Sequence, residues 1–364
     1  MSVLVVSAAD VAQLTATLSA RSLCDVIGKT MAAIHANEDS KEVPAPVQNP
    51  QPKTLQRIAT ESANHKTLYM PSRLTTADGP ATAIKVVSVP KPNCTLPGLP
   101  ATTLLFDEET GLTKAVVNAA ELTGLRTAAA SALATTILAS PASTNLVVFG
   151  SGTQAYYHAR LVIQLFPSIK KATVVVRKIT PRATDLVERL WTEAPSVEID
   201  TLTDDKASEV VKEADIICTC VPSKSPVFDL HDLKPGVHIN AIGSYTPSMQ
   251  EFPPALIAPL TSSSTSDSPH IPTILVDSPS ACLSESGELI HARISPFSLI
   301  PLGSLLSADG TLSPSSTTRE KLARLREKGR SLFKCVGVGG MDVSIARLVV
   351  EEAERRGLGT RVPF

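Results

Sequence analysis

From residue 145 onward, short apolar runs alternate with longer amphipathic stretches. The runs predict strands at 145–149, 173–176, 197–201, 216–221, 238–242 and 274–277. Apolar residues at helical spacing predict helices at 154–166, 181–193 and 205–213. This alternation marks a doubly wound parallel sheet, because each parallel strand needs a crossover to reach the next. The first part of the chain reads differently. Extended segments at 66–70, 82–89, 102–106 and 114–118 follow one another with little helix between them. They predict a mostly antiparallel sheet in a separate N-terminal domain, so the fold class is α/β with an added antiparallel domain. Ser7 reads as the N-cap of a helix running from Ala8 to about residue 19. The segment 343–356 carries apolar residues at 345, 346, 349, 350 and 353, a single buried helical stripe. Two stretches, 37–54 with four prolines and 261–272 with a serine run, lack a periodic apolar face and read as mobile surface loops.

The first parallel strand ends in Gly150-Ser151-Gly152-Thr153-Gln154-Ala155, and a helical pattern starts at once. Gly150 permits a tight turn, Gly152 lets a pyrophosphate approach the backbone, and Ala155 allows close packing of helix on strand. The unpaired N–H groups of a helix start would face the phosphates. An ordinary glycine turn is the plainer reading, but the strand and helix on either side favour a dinucleotide-binding Rossmann unit. Ser151, Thr153 and Gln154 join the two glycines as expected cofactor contacts. So do Cys220 and Val221, at the end of the 216–221 strand.

The second strand ends in Val176-Arg177-Lys178-Ile179-Thr180-Pro181-Arg182. An NAD site usually places an acid there for the ribose 2′-hydroxyl; an NADP site places a cation there for the 2′-phosphate. Arg177, Lys178 and Arg182 supply three cations and no acid stands among them. Arginine can grip a phosphate through paired charge-assisted bonds, so NADP(H) is the expected cofactor, with NAD(H) as the lesser choice.

Composition narrows the classes. With 364 residues, 43% of them hydrophobic, the chain can bury one large core or two ordinary ones. A net charge of −1 gives no bulk attraction to nucleic acid or membrane. No apolar run approaches a membrane span, and the N-terminus lacks the basic start of a signal peptide. The six cysteines show no Cys-x-x-Cys, so no metal is expected. Cys218 and Cys220 alternate along an apolar strand and read as reduced core thiols, which suits a cytoplasmic protein.

A second motif is Glu121-Leu122-Thr123-Gly124-Leu125-Arg126-Thr127-Ala128-Ala129-Ala130. Its small residues allow a helix to pack closely on the nucleotide-binding sheet. Arg126 and Thr127, near its start, could meet a phosphate; equally, Arg126 could be a surface arginine on an alanine-rich helix.

The order of motifs resembles the ornithine cyclodeaminase/mu-crystallin family of NAD(P)-dependent enzymes. The matching pieces include Tyr69-Met70-Pro71, Ile84-Lys85-Val86-Val87-Ser88, Leu125-Arg126-Thr127, the glycine turn at 150–155, Pro222-Ser223 and Glu285-Ser286-Gly287-Glu288-Leu289. Phe333-Lys334-Cys335-Val336-Gly337 is the last of them. The resemblance implies a homodimer. Residues 1–121, completed by 341–364, would bind substrate and join the partner, and 122–340 would bind the cofactor. It implies that Arg57 holds a substrate carboxylate and that Lys85 is the active-site lysine beside the nicotinamide. It also implies that Arg126 and Thr127 meet cofactor phosphate, and that the backbone at Val336 and Gly337 approaches the nicotinamide. For Arg57 and Lys85 the plainer reading is a surface cation.

One departure matters. True ornithine cyclodeaminases carry Gly-x-Asp-x-Pro-x-Lys-x-Glu, where the aspartate serves the δ-amino group of ornithine. This chain reads Gly243-Ser244-Tyr245-Thr246-Pro247-Ser248-Met249-Gln250-Glu251, with Tyr245 at the acid's position. The expected activity is therefore NADPH-dependent reduction of a C=N bond in an α-imino acid, of the ketimine reductase type. Three other readings stay open: ornithine cyclodeaminase, an amino-acid or opine-type dehydrogenase, and a non-catalytic NADPH-dependent ligand-binding protein. No nucleic acid or membrane partner is expected.

Overall fold

A computed structural model of the chain describes residues 2–39, 58–91, 94, 98–258, 270–327 and 329–364. The chain opens with β1 (Ser2–Val6), α1 (Ala8–Thr17), α2 (Ala20–Asp39), β2 (Ile58–Glu61), β3 (His65–Thr76), β4 (Gly79–Pro90), β5 (Ala101–Phe106) and β6 (Thr113–Asn118). It continues through α3 (Leu122–Leu138), β7 (Asn145–Phe149), α4 (Thr153–Leu165), β8 (Lys171–Val176), α5 (Pro181–Glu193), β9 (Glu198–Thr203), α6 (Ala207–Val211), β10 (Ile216–Thr219) and β11 (His238–Ala241). The last third holds β12 (Ile274–Val276), α7 (Pro279–Glu285), α8 (Gly287–Ala292), β13 (Leu299–Pro301), α9 (Ser316–Leu325), β14 (Ser331–Lys334), α10 (Gly339–Arg356) and β15 (Thr360–Pro363). Two compact units result. The first is built from Met1–Arg126, Leu306–Thr311 and Val338–Phe364; the second from Thr127–Leu305 and Leu312–Gly337.

The first unit carries a seven-stranded sheet in the order β15-β1-β6-β5-β4-β3-β2. Its pairs are antiparallel except β1 with β6. Alternation along β3 and β4 puts Met70, Ser72, Leu74, Ala81, Ala83, Lys85 and Val87 on a buried face. There α10 packs on β3, β4 and α2, and α2 packs on β3. On the other face a register row, Pro71–Ile84–Leu104–Val116–Val5, is only half-buried.

Before these strands comes a helix that the hydrophobic pattern does not predict, α2, twenty residues long. Its stripe at Leu23, Ile27, Met31 and Ile34 is buried. Gly28 interrupts the stripe because a Cβ there would lie 2.5 Å from the carbonyl oxygen of Gly310. The helix also claims 37–39, the start of the expected loop at 37–54; the rest of that loop lies outside the described residues, as does Arg57. Ser7 does cap α1, accepting from the Asp10 N–H while Asp10 answers the Ser7 N–H at 2.9 Å, a capping box.

The second unit carries an eight-stranded parallel sheet in the order β13-β12-β14-β11-β10-β7-β8-β9. Two of its strands, β13 and β14, are not among those the hydrophobic pattern predicts. Most of the expected loop at 261–272 lies outside the described residues, but its end is no loop tip. His270 and Ile271 are buried, and the Ile271 N–H donates to Leu256 O at 2.7 Å. β10 stops at Thr219, so Cys220 lies beyond the strand and is half-buried, while Cys218 is buried. The six cysteines form no disulfide. A polar chain crosses the core: Ser331 Oγ lies 2.8 Å from His238 Nδ1, His238 Nε2 lies 3.3 Å from Asn240 Oδ1, and Asn240 donates to Thr135 at 2.9 Å. His158 Nε2 sits 2.9 Å from Ser131 Oγ.

Candidate active site

In the first unit, the pleat of β4 turns Lys85 into the face covered by α10, where it is 2% exposed. Its Nζ lies 2.8 Å from Asp342 Oδ1. Arg126, in the first turns of α3, donates to the same oxygen through Nε at 3.1 Å. The three side chains are each at most 5% exposed. Among the described residues, one buried carboxylate thus meets two buried cations. The Arg126 Nη1 atom is buried with no hydrogen-bond partner among the described residues. Lys85 and Arg126 were read from the sequence in separate roles; the structure joins them through one acid. Asp342 was missed because the final helix was expected to start at 343. It starts at Gly339, which puts Asp342 in its first turn. The acid just after Gly337-Val338-Gly339-Gly340 was the available signal.

In the second unit, the turn between β7 and α4 is shaped for close approach. Gly150 has φ +109°, a conformation that favours glycine, and a Cβ there would lie 2.9 Å from Val221 Cγ1 and 3.1 Å from Cys220 O. Gly150, Cys220 and Val221 are thus one packed group. Gly152 is the N-cap of α4 and no side chain caps the helix there. A Cβ on Gly152 would lie 3.0 Å from Arg182 Nη2, so the arginine at the start of α5 overhangs the turn. Ser151 and Gln154 are half-buried and Thr153 is exposed beside it. Arg177 and Lys178 follow β8, both exposed. Uncapped helix N–H groups, bare glycine backbone and an overhanging guanidinium fit a dinucleotide pyrophosphate. Thr127, the first residue of this unit, is buried.

Val336 and Gly337 are pinned by a residue the sequence reading passed over. Asp277 Oδ2 accepts the Gly337 N–H at 2.6 Å and the Val336 N–H at 3.1 Å. A second buried carboxylate fixes the ends of β10 and β11. Glu251 accepts from the N–H groups of Val221 at 3.0 Å, Gly243 at 2.6 Å and Ser244 at 3.1 Å. Burial pushes Glu251 up to about 7, against the opposing pull of Lys334 and the backbone N–H groups. Lys334 donates to Ser244 O at 2.7 Å. Gly243 is dictated by this clamp, since a Cβ would lie 2.4 Å from Glu251 Oε1. Tyr245 follows it, half-buried, its hydroxyl pushed up by burial.

No helix among the described residues is long and apolar enough to cross a membrane. No group of side chains among them could hold a metal ion.

The family model of the ornithine cyclodeaminase/mu-crystallin family matches residues 8–270. The chain is 32% identical over 316 residues to a Delta(1)-pyrroline-2-carboxylate reductase of Bacillus cereus (strain ATCC 10987 / NRS 248), covering 82% of this chain and 84% of the relative. It is 29% identical over 259 residues to the ketimine reductase mu-crystallin of Mus musculus, covering 71% of each. Among solved structures, Thermococcus litoralis Delta(1)-pyrroline-2-carboxylate reductase in complex with NADH and L-proline matches with a TM-score of 0.77 at 26% identity, over 99% of this chain and 100% of that one.

Proposed function

The chain belongs to the ornithine cyclodeaminase/mu-crystallin family, and from that premise we propose that it reduces the C=N bond of a small α-imino carboxylate with NADPH as reductant. The observation that carries the reading is the buried cluster of Lys85, Asp342 and Arg126. Two buried cations gathered at one acid suit an anionic ligand, because a buried charge is stable only when paired. The names of the relatives, reductases of a cyclic imino acid and of ketimines, support the substrate class.

Bound NADPH supplies the hydride for the imine carbon. The chain's own residues bind, orient and handle the proton. Arg57 and Lys85 hold the carboxylate, Arg57 by the bidentate pairing that a guanidinium offers. The imine nitrogen takes a proton from Lys85 or from a water held there, since an iminium accepts hydride far more readily than a neutral imine. One hydride on carbon and one proton on nitrogen balance the conversion of C=N to CH–NH. Arg126 and Thr127 contact cofactor phosphate, as do the N–H groups around Gly150, Ser151, Gly152, Thr153 and Gln154. Cys220, Val221, Val336 and Gly337 line the cofactor. The preference for NADPH rests on Arg177, Lys178 and Arg182, which offer three cations to a 2′-phosphate and no competing acid.

The first unit also joins a second copy of the chain. The half-buried row Pro71–Ile84–Leu104–Val116–Val5 is apolar throughout, and an apolar stripe of this kind suits an interface. Ornithine cyclisation is disfavoured, because Tyr245 leaves the δ-ammonium without a carboxylate.

Loss of NADPH absorbance with cyclic α-imino acids, with 2-oxo acid and amine mixtures, and with ornithine tests the proposal. Turnover of a cyclic imine is expected, with no ammonia released from ornithine. Brisk ornithine cyclisation, or binding of every imine without NADPH oxidation, would overturn it.

A further inference from the structure

Asp342 lies in the first turn of α10 at 3% exposure, on a different element from each of the cations it meets. Both of them use one oxygen, Oδ1: Lys85 at 2.8 Å from β4 and Arg126 at 3.1 Å from α3. Neutral hydroxyls stand on the neighbouring elements. β3 brings the Ser72 hydroxyl to 3.5 Å from the Cβ position of Gly339, and α2 brings Thr30, which donates to Ser344 at 2.7 Å. The remaining charges nearby are engaged elsewhere. Arg347, further along α10, faces Asp78 and Glu351; Lys29 of α2 pairs with Asp78; Arg73 of β3 pairs with Glu108 on the opposite face.

Two buried cations this close would repel, and burial alone favours the neutral amine of a lysine. An acid between them opposes both effects. Arginine cannot shed its proton, so without Asp342 the lysine would yield. We propose that Asp342 is a positioning residue: it keeps Lys85 an ammonium and holds Arg126 by its Nε edge, so that Nη1 faces an anionic oxygen of a bound ligand. The inference rests on the proposed reading of Lys85 as an active-site residue and deepens it. It accounts for the buried Nη1, which has no hydrogen-bond partner among the described residues and which the Nε bond to Asp342 fixes in place.

The test reads the lysine directly. In protein with ¹³C-labelled lysine, the Cε resonance of Lys85, assigned by its loss in Lys85→Met, is followed against pH. In Asp342→Asn, Lys85 should lose its proton at a pH at least about one unit lower than in the native protein. Asp342→Glu, which keeps the charge, should return the titration to the native position. The basic limb of kcat/KM for imine reduction should move with the resonance in each variant. Should Asp342→Asn fail to fold, Arg126→Met asks the question from the other side: with the competing cation gone, Lys85 should hold its proton to higher pH. Identical Lys85 titrations in the native protein and both variants would overturn the proposal, as would a neutral Lys85 at neutral pH in the native protein. A native protein that turns over no imine but shows the shifted titration would sink the proposed function and leave the role of Asp342 standing.

Discussion

Lys85 and Asp342 are 257 residues apart in sequence and 2.8 Å apart in the fold, both almost fully buried. A lysine so enclosed has no part in solubility, and the pair has no solvent to screen it. Lys85→Ala should lower turnover of the imine by at least about 10²-fold, the usual contribution of a positioned acid–base group. Asp342 keeps Arg126 as a partner in that variant, so the fold should survive. NADPH affinity, measured by fluorescence, should barely change. Full imine reduction by Lys85→Ala would remove the lysine from the chemistry.

Arg177 is exposed at the end of β8, where a 2′-phosphate would distinguish the two cofactors. Losing one charge-assisted phosphate contact costs about 1.5–3 kcal/mol, or roughly 10- to 150-fold in affinity. Arg177→Asp should weaken NADPH binding at least about tenfold and leave NADH binding unchanged or improved. Equal affinities of the native protein for the two cofactors would contradict the assignment.

Leu104 sits at the centre of the half-buried row on the first sheet, opposite Ile84 and Val116. Placing a charge there, Leu104→Glu, should leave the fold intact, because the position is not in the core. It should turn the proposed dimer into a monomer. Light scattering of both proteins at micromolar concentration decides the matter, and a monomeric native protein would end the interface proposal.

His158 and His238 are buried with no acid to support a positive charge, and burial pulls both from 6.5 down to about 4. Unfolded, each takes up a proton as pH falls below about 6.5; folded, neither does so until pH nears 4. Their contribution to stability is therefore complete above pH 6.5 and is lost as pH falls from there to 4. Each is worth about 3 kcal/mol over that window. Urea midpoints should drop between neutral pH and about pH 5, and the double variant His158→Gln, His238→Gln should flatten the drop. A flat native profile would show that the imidazoles are not held neutral.

Gly150→Ala should be costly for a different reason. The φ of +109° is unfavourable for alanine, and the methyl group would press on Val221 and on the carbonyl of Cys220. Cofactor affinity should fall at least about tenfold, since the turn must open to relieve the contact. Native NADPH affinity in this variant would mean the turn is not the cradle.

The parallel sheet is legible because its central strands β7 and β8 are apolar runs ended by Gly150 and Arg177. The glycine turn was legible because strand, turn and helix follow one another without a gap. What escaped was whatever depends on residues far apart. α2 has its buried stripe broken by Gly28, and the reason, the Gly310 carbonyl, lies far downstream. Asp342 and Asp277 look like ordinary acids in sequence; each becomes a site residue only when distant partners, Lys85 for one and the Gly337 N–H for the other, are brought to it. Glu251 falls at the acid ending the 243–251 motif, yet nothing in the sequence says that it receives three backbone N–H groups from two strand ends.

The first unit is assembled from three stretches of chain, and its edge strand β15 pairs residue 363 with residue 2. During synthesis β1 can pair with β6 early, but its other edge waits for β15, and the sheet lacks its α10 cover until that helix is made. The second unit, almost continuous in sequence, can complete itself earlier. Contacts of such long range make folding slow and leave apolar strands exposed for longer. A nascent chain stalled before residue 339 would hold Lys85 and Arg126 with no Asp342 between them, so the charge balance of the site is among the last features to form.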